Sequence, residues 1–317
     1  MNQYKKSILV TGGAGFIGSH LCDRLIVNNK ITVIDNLSLG RKRNIEHLIN
    51  NNDFNFIEGD LLHKGLDDVF NQGQFDIVFH LAANSDIANS HDNPSIDKDN
   101  TFMSTYCVLD MMKKYEVKEI IFASTSAIYG DTSEVLTENY GPLIPVSHYG
   151  AGKLASEAFI SSFAENYGFK AWIVRFPNVV GERSTHGVIL DFIKKLKINN
   201  EKLVVLGNGE QYKPYLYVKD LIDGIIYVWR NSDKKVNTYN LGVDSRTKVK
   251  EIASMVIEEM GINAEIEYSG GDRGWIGDVP EFNYDLNKIH QLGWKACNNS
   301  NESVRKAIRY ILKIDFN

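Results

Sequence analysis

Tyr149 and Lys153 stand four residues apart in Tyr149-Gly150-Ala151-Gly152-Lys153. On a helix, positions i and i+4 share a face, which puts an ammonium beside a phenol. A neighbouring cation favours phenolate and predicts a depressed pKa for Tyr149. A phenol that ionises near the working pH serves as general acid or base. Upstream lies a hydroxyl-rich turn, Ser124-Thr125-Ser126-Ala127-Ile128-Tyr129-Gly130. A hydroxyl there can bind a substrate alcohol and the phenol, or it can satisfy its own turn.

A second chemistry sits near the start, in Val10-Thr11-Gly12-Gly13-Ala14-Gly15-Phe16-Ile17-Gly18. An apolar run precedes the three spaced glycines and a helical pattern follows. A strand-to-helix turn of this kind aims free amides and a helix dipole at a pyrophosphate. Asp35 follows Gly18 by 17 residues. A carboxylate there can accept both ribose hydroxyls and repel a 2′-phosphate, which favours NAD over NADP. The same Asp35-Asn36 pair also reads as a plain turn, and Arg41 and Arg43 leave NADP tolerance open. Asp60, after Gly59, either meets an adenine amino group or caps a helix. His80 opens His80-Leu81-Ala82-Ala83 and reads as a structural histidine rather than a catalyst.

These residues need a scaffold that gathers strand ends. Short apolar runs at 7–10, 31–34, 54–57, 77–80, 120–124 and 171–176 alternate with helical patterns at 15–28, 66–71, 99–115 and 149–167. An irregular turn near 41–49 breaks the rhythm. Such alternation predicts an α/β fold: a Rossmann-type doubly wound parallel sheet whose strands are covered on both faces. After Pro177 the pattern shifts to helices at 188–197, 218–230, 248–260 and 302–312, separated by aromatic turns. We read residues 1–176 as the NAD-binding domain. Residues 177–317 form a smaller C-terminal α/β substrate-binding lobe, with some segments returning to the sheet.

The bulk composition is that of an ordinary globular chain. It has 317 residues, 43% hydrophobic and 24% charged, with a net charge of −5. Such a balance, with no long basic run, argues against a nucleic-acid surface. No stretch approaches the ~20 apolar residues that span a bilayer, and the N-terminus carries no signal-peptide pattern. Cys22, Cys107 and Cys297 are isolated and show no metal-ligand spacing, so no metal site is expected. A reducing cytoplasm fits these cysteines. Asn50-Asn51-Asn52 and Asn298-Asn299 read as surface loops.

Seven motifs in order carry a resemblance: Thr11-Gly12-x-x-Gly15-x-x-Gly18, Asp35-Asn36, Gly59-Asp60, His80-Leu81-Ala82-Ala83, Ser124-Thr125-x-x-x-Tyr129-Gly130, Tyr149-x-x-x-Lys153 and Arg175-x-x-Asn178. The set resembles the extended short-chain dehydrogenase/reductase family, and within it the NAD-dependent nucleotide-sugar epimerases and dehydratases. The likeness runs from about Ser7 to Trp294. It implies Thr125, Tyr149 and Lys153 as the catalytic set and NAD as a bound hydride store. Implied cofactor contacts are Gly12, Gly15, Phe16, Ile17, Gly18, Asp35, Asn36, Leu37, Ser38, Asp60, Leu61, Leu81, Ala82, Ala83 and Phe176, with Tyr149 and Lys153. Implied substrate contacts are Thr125, Asn178, Val188, Leu206, Lys213, Arg273 and Asp278.

The departures from the family pattern are informative. Dehydratases follow their Thr with Asp-Glu, whereas Ser126 and Ala127 stand here. The resemblance therefore implies a 4-epimerase acting on a UDP-hexose through a 4-keto intermediate, with other nucleotide-sugar oxidoreductions of the fold as the alternative. A catalytically silent NAD sensor is the remote one. Lys213 replaces a diphosphate-binding Arg and loses its bidentate fork. Trp275 occupies the place of another Arg, with Arg273 two residues earlier. Phe282 falls where bulk excludes an N-acetyl group. Thr101 aligns with a helix-opening Asn, and Asn100 is one residue off. A homodimer is implied through the helices beginning near Asp99 and Tyr149.

Overall fold

The computed structural model of the chain describes residues 5–85, 91–274 and 279–315. Seven strands form the main sheet: β1 (Ser7–Thr11), β2 (Lys30–Asp35), β3 (Phe54–Glu58), β4 (Ile77–His80), β5 (Glu119–Thr125), β6 (Lys170–Phe176) and β7 (Val236–Asn240). Their spatial order is β7-β6-β5-β4-β1-β2-β3, and every pairing is parallel. The chain winds outward from β1 to β3, then crosses to β4 on the other side of β1. The winding reverses between β1 and β4, and at such a point a crevice opens beyond the strand C-termini.

The longer helices are α1 (Phe16–Leu25), α2 (Gly65–Gly73), α3 (Ser104–Lys114), α4 (His148–Tyr167), α5 (Val188–Ile198), α6 (Val218–Asn231), α7 (Val249–Met260) and α8 (Ser300–Asp315). Alternation along the strands feeds two cores. Ile8 and Val10 of β1, with Trp172 and Val174 of β6, pack on α1 and α6 through Leu21, Leu25, Leu221 and Ile225. Leu9, Ala171 and Ile173 face the opposite way, onto Phe70 of α2, Leu109 of α3 and Ile160 of α4. Both faces being covered, the middles of the inner strands are mostly apolar, and polar side chains gather toward strand ends and on the edge strands β3 and β7. A third core joins α5, α7 and α8 through Phe192, Val256 and Ile308. β7, from the later part of the chain, extends the main sheet beside β6.

One element differs from the sequence reading. The helix expected over 99–115 begins instead as a turn, Ser95–Asp97, followed by a π-helical segment, Lys98–Met103, before α3. The hydroxyls of Ser104 and Thr105 donate back to the carbonyls of Asn100 and Thr101 (2.8 Å each) and compete with the helical ladder. A π turn carries one extra residue, so faces before and after it are out of register by one. Asn299 lies in an exposed loop, as expected, and also caps α8: its side chain accepts from the Glu302 amide and Glu302 accepts from the Asn299 amide, both at 2.9 Å. No described helix is long and apolar enough to cross a membrane.

Candidate active site

A cavity of about 990 Å³ follows the C-terminal ends of β1, β2, β4, β5 and β6. The β1–α1 turn forms one end. Gly12 sits at φ +70, and a Cβ there would lie 2.8 Å from the Ala82 amide nitrogen. A Cβ on Gly18 would collide with the Gly12 carbonyl oxygen. Backbone thus meets backbone, and Gly15, Phe16, Ile17 and Gly18 open α1 toward the cavity with no side chain capping its amides. A cradle that any Cβ would fill, floored by free helix amides, fits a dinucleotide pyrophosphate.

Asp35 ends β2 at the cavity wall. Its carboxylate accepts from the amides of Ala14 and Leu37, both at 2.9 Å. Burial pushes its pKa up, and the amides oppose that push. Asn36, Ser38, Asp60, Leu61, Leu81, Ala82, Ala83 and Phe176 all line the same cavity. Leu37 does not. Its backbone is left-handed (φ 58) and its side chain packs against the core, so only its amide serves the site, through Asp35. Asp60 caps no helix: its carboxylate accepts from the Leu62 amide in the turn before α2 and from Asn36 (2.9 Å each), and the residue lines the cavity.

His80 is fully buried between Thr11 (2.7 Å to Nδ1) and Thr105 (2.9 Å to Nε2). Thr105 gives its own proton to the Thr101 carbonyl. Nε2 therefore carries the imidazole proton and Nδ1 accepts from Thr11. Burial, with Lys153 nearby, pushes the pKa of His80 down to about 3. The ring is a neutral structural link.

Thr125, Tyr149 and Lys153 come together in the wall. Thr125 closes β5. Ser147 caps α4 by accepting from the Gly150 amide (3.1 Å), which starts the helix one residue before Tyr149. The Thr125 hydroxyl stands close enough to the Tyr149 phenol to favour its ionised form. Lys153 behaves differently from the sequence expectation. Its ammonium donates to the Ala123 carbonyl at 2.6 Å and lies 4.6 Å from the Phe122 ring centre, but 5.8 Å from that of Tyr149. Burial raises the phenol pKa, and Thr125 only partly opposes it. The expected depression is thus corrected: in this arrangement desolvation sets the direction of the shift. Burial also pushes Lys153 down to about 7, against the carboxylates of Glu157 and Asp97.

Beneath this set lies a polar cluster that the sequence reading missed. Arg175 grips Glu157 with two bonds (3.0 and 2.6 Å), both side chains being only 7% exposed. Ser124 donates to the same carboxylate. Arg175 also donates to the Tyr129 hydroxyl (2.9 Å), which donates to Asn240 of β7 (2.7 Å). Glu157 lies at i+8 from Tyr149 on the same face of α4. That spacing was the available signal.

The far wall collects Asn178, Val188, Leu206 and Lys213. Arg273 is absent from it. Its guanidinium binds Asp131 at 2.6 Å, so the expectation that it lines the substrate site is not met. Asp278 and Trp275 lie outside the described residues. Phe282 is buried against Tyr284 in the core and is not among the residues that line the cavity. Asn100 lines the cavity while Thr101 is buried behind it, a placement that the extra π-helical residue explains. Ser184, Thr185, His186 and Gln211 join the wall without having been singled out as contacts. No cluster of metal-ligating side chains exists among the described residues.

The family model for NAD dependent epimerases and dehydratases matches residues 8–242. The chain belongs to the NAD-dependent epimerase/dehydratase family. A putative UDP-glucose 4-epimerase of Methanocaldococcus jannaschii is 34% identical over 312 residues, covering 96% of this chain and 98% of the relative. The solved UDP-glucose 4-epimerase of Thermotoga maritima, with UDP-glucose, superposes at a TM-score of 0.87 with 32% identity, over 97% of this chain and 99% of that one. The UDP-glucuronic acid 4-epimerase of Bacillus cereus, with UDP-glucuronic acid and NAD, gives 0.86 at 28% identity, over 97% and 99%. This epimerase/dehydratase family chain therefore has the extended short-chain dehydrogenase/reductase fold, and NAD is its cofactor.

Proposed function

We propose that the chain interconverts UDP-glucose and UDP-galactose by epimerisation at C4. One observation carries the reading: Thr125, Tyr149 and Lys153 share one cavity wall, while Ser126 and Ala127 supply no acidic group for eliminating water. When bound, NAD supplies reversible two-electron oxidation of a carbinol carbon and a formally cationic ring. Thr125 and Tyr149 hold the 4-hydroxyl of the sugar. Tyr149 as phenolate takes the hydroxyl proton and returns it after the 4-ketose has turned over in the pocket. Since burial here raises the phenol pKa, forming phenolate calls for positive charge beside the ring. Gly12, Gly15, Gly18 and Asp35 anchor the cofactor. Asn178, Lys213 and the amides that open α5 anchor the nucleotide diphosphate, and Val188 and Leu206 flank it.

We also place a second copy of the chain on α3 and α4, which present the half-exposed rings of Tyr106, Phe159 and Tyr167. The function is tested by incubating the NAD-loaded protein with UDP-glucose and following UDP-galactose by proton NMR, with UDP-glucuronate and UDP-N-acetylglucosamine as parallel arms. Interconversion of the glucose pair supports the proposal. Turnover confined to another arm replaces its substrate, and release of water or carbon dioxide replaces its reaction.

A further inference from the structure

A buried carboxylate outside the catalytic set bears on both of its titrating members. Asp97 is fully buried in the turn that precedes the π-helical segment. Its Oδ1 accepts from Asn84 (3.0 Å) and from Thr101 (3.2 Å), and Thr101 in turn accepts from the Asn84 amide (3.2 Å). Its Oδ2 has no partner among the described residues. A carboxylate taken out of water with one oxygen unpaired costs several kcal/mol unless nearby positive charge compensates it.

The backbone brings this group close to α4. A Cβ on Gly152 would stand 3.1 Å from Thr101 Cγ2 and 3.3 Å from the Asp97 carbonyl oxygen. Gly152 lies between Tyr149 and Lys153, so the absence of its side chain lets the 97–101 turn settle on that stretch of helix. The Asp97 charge raises the pKa of Lys153 and of Tyr149 alike. The other charged and titratable groups facing this pair are Glu157, already gripped by Arg175, and His80, held neutral. Lys98 and Asp99 pair with each other at 3.2 Å toward the surface.

We propose that Asp97 is a positioning residue for the Tyr149–Lys153 pair, a fixed buried negative charge seated through Gly152 that holds the Lys153 side chain as an ammonium. The proposal rests on the acid–base role assigned to Tyr149 above. Two substitutions test it in the holoenzyme. Asp97→Asn removes the charge and keeps an oxygen for Asn84 and Thr101. Gly152→Ala inserts a methyl into the close contact, and Ala's higher helix propensity favours folding. Each should shift both limbs of the pH–rate profile to lower pH, by roughly half a unit or more for Asp97→Asn and less for Gly152→Ala.

A second readout does not depend on turnover. The phenolate absorbance of Tyr149, isolated by subtracting the Tyr149→Phe protein, should appear at lower pH in both variants. If the protein proves inactive on every sugar, the functional reading fails while this titration still decides the role of Asp97. Should Asp97→Asn fail to fold, Gly152→Ala decides alone. Folded variants whose Tyr149 ionises where the wild type does would overturn the proposal, whatever their loss of rate.

Discussion

The two walls of the cavity are built on different principles. The cofactor wall is made of strand ends and of the turns that leave them. Gly12 abuts Ala82, Asp35 holds two amides, and Asp60 holds Asn36 and the Leu62 amide. Each contact is fixed by sheet register or by a turn of a few residues. The wall proposed for the substrate gathers Asn178, Val188, Leu206 and Lys213 from separate segments, and Arg273 is engaged with Asp131. One wall is rigid because its backbone has no alternative. The other owes its shape to long-range contacts that a single substitution can redirect. The epimerase proposed here, which would grip its cofactor and let a ketose turn over, has use for both.

The comparison can be broken from the cofactor side first. Gly18→Val drives a side chain into the Gly12 carbonyl, so we expect loss of NAD binding by calorimetry together with most of the folded protein. Retained NAD affinity would refute the rigid-wall account. Tyr149→Phe should lower kcat by about 10²–10⁴-fold with NAD affinity and Tm unchanged, measured by coupled assay and calorimetry. Arg175→Met leaves Glu157 buried and unpaired. We expect about 3–5 kcal/mol of destabilisation in urea unfolding.

Lys153→Met should separate function from stability. Below pH 7 the buried ammonium is fully charged in the folded state. Its folded pKa, about 7 against the ordinary 10.5, means that the unfolded chain holds more protons between those values. Wild-type stability should therefore rise with pH across that window, and the Met variant should lose this slope along with its activity. The smallest effect is expected on the substrate wall. Lys213→Ala should raise KM for the nucleotide-sugar roughly tenfold, about 1.4 kcal/mol, and leave NAD affinity alone.

The same contrast explains what could be read from the sequence. The glycine turn, Asp35 and the Tyr149/Lys153 spacing are local patterns, and the structure brings them into one cavity. The alternating cores follow from strand periodicity. Leu37 was misplaced because a left-handed backbone turns its side chain inward, which its neighbours do not signal. Glu157, Arg175 and Asp97 went unseen as a group because their contacts join different elements, as Glu157 of α4 meets Ser124 of β5 and Arg175 of β6. The displaced register of Asn100 and Thr101 goes with a π turn, beside which the Ser104 and Thr105 hydroxyls bond back to the helix. The depressed phenol was expected from charge spacing alone. Burial, which spacing does not report, reverses it.

The central claim is that C4 is oxidised transiently and reduced again on the same enzyme. UDP-glucose deuterated at C4, incubated with the NAD-loaded protein in ordinary water, tests it by mass spectrometry and proton NMR of the product. The account predicts UDP-galactose that keeps its deuterium at C4. Deuterium lost to solvent, or a product other than UDP-galactose, would contradict it.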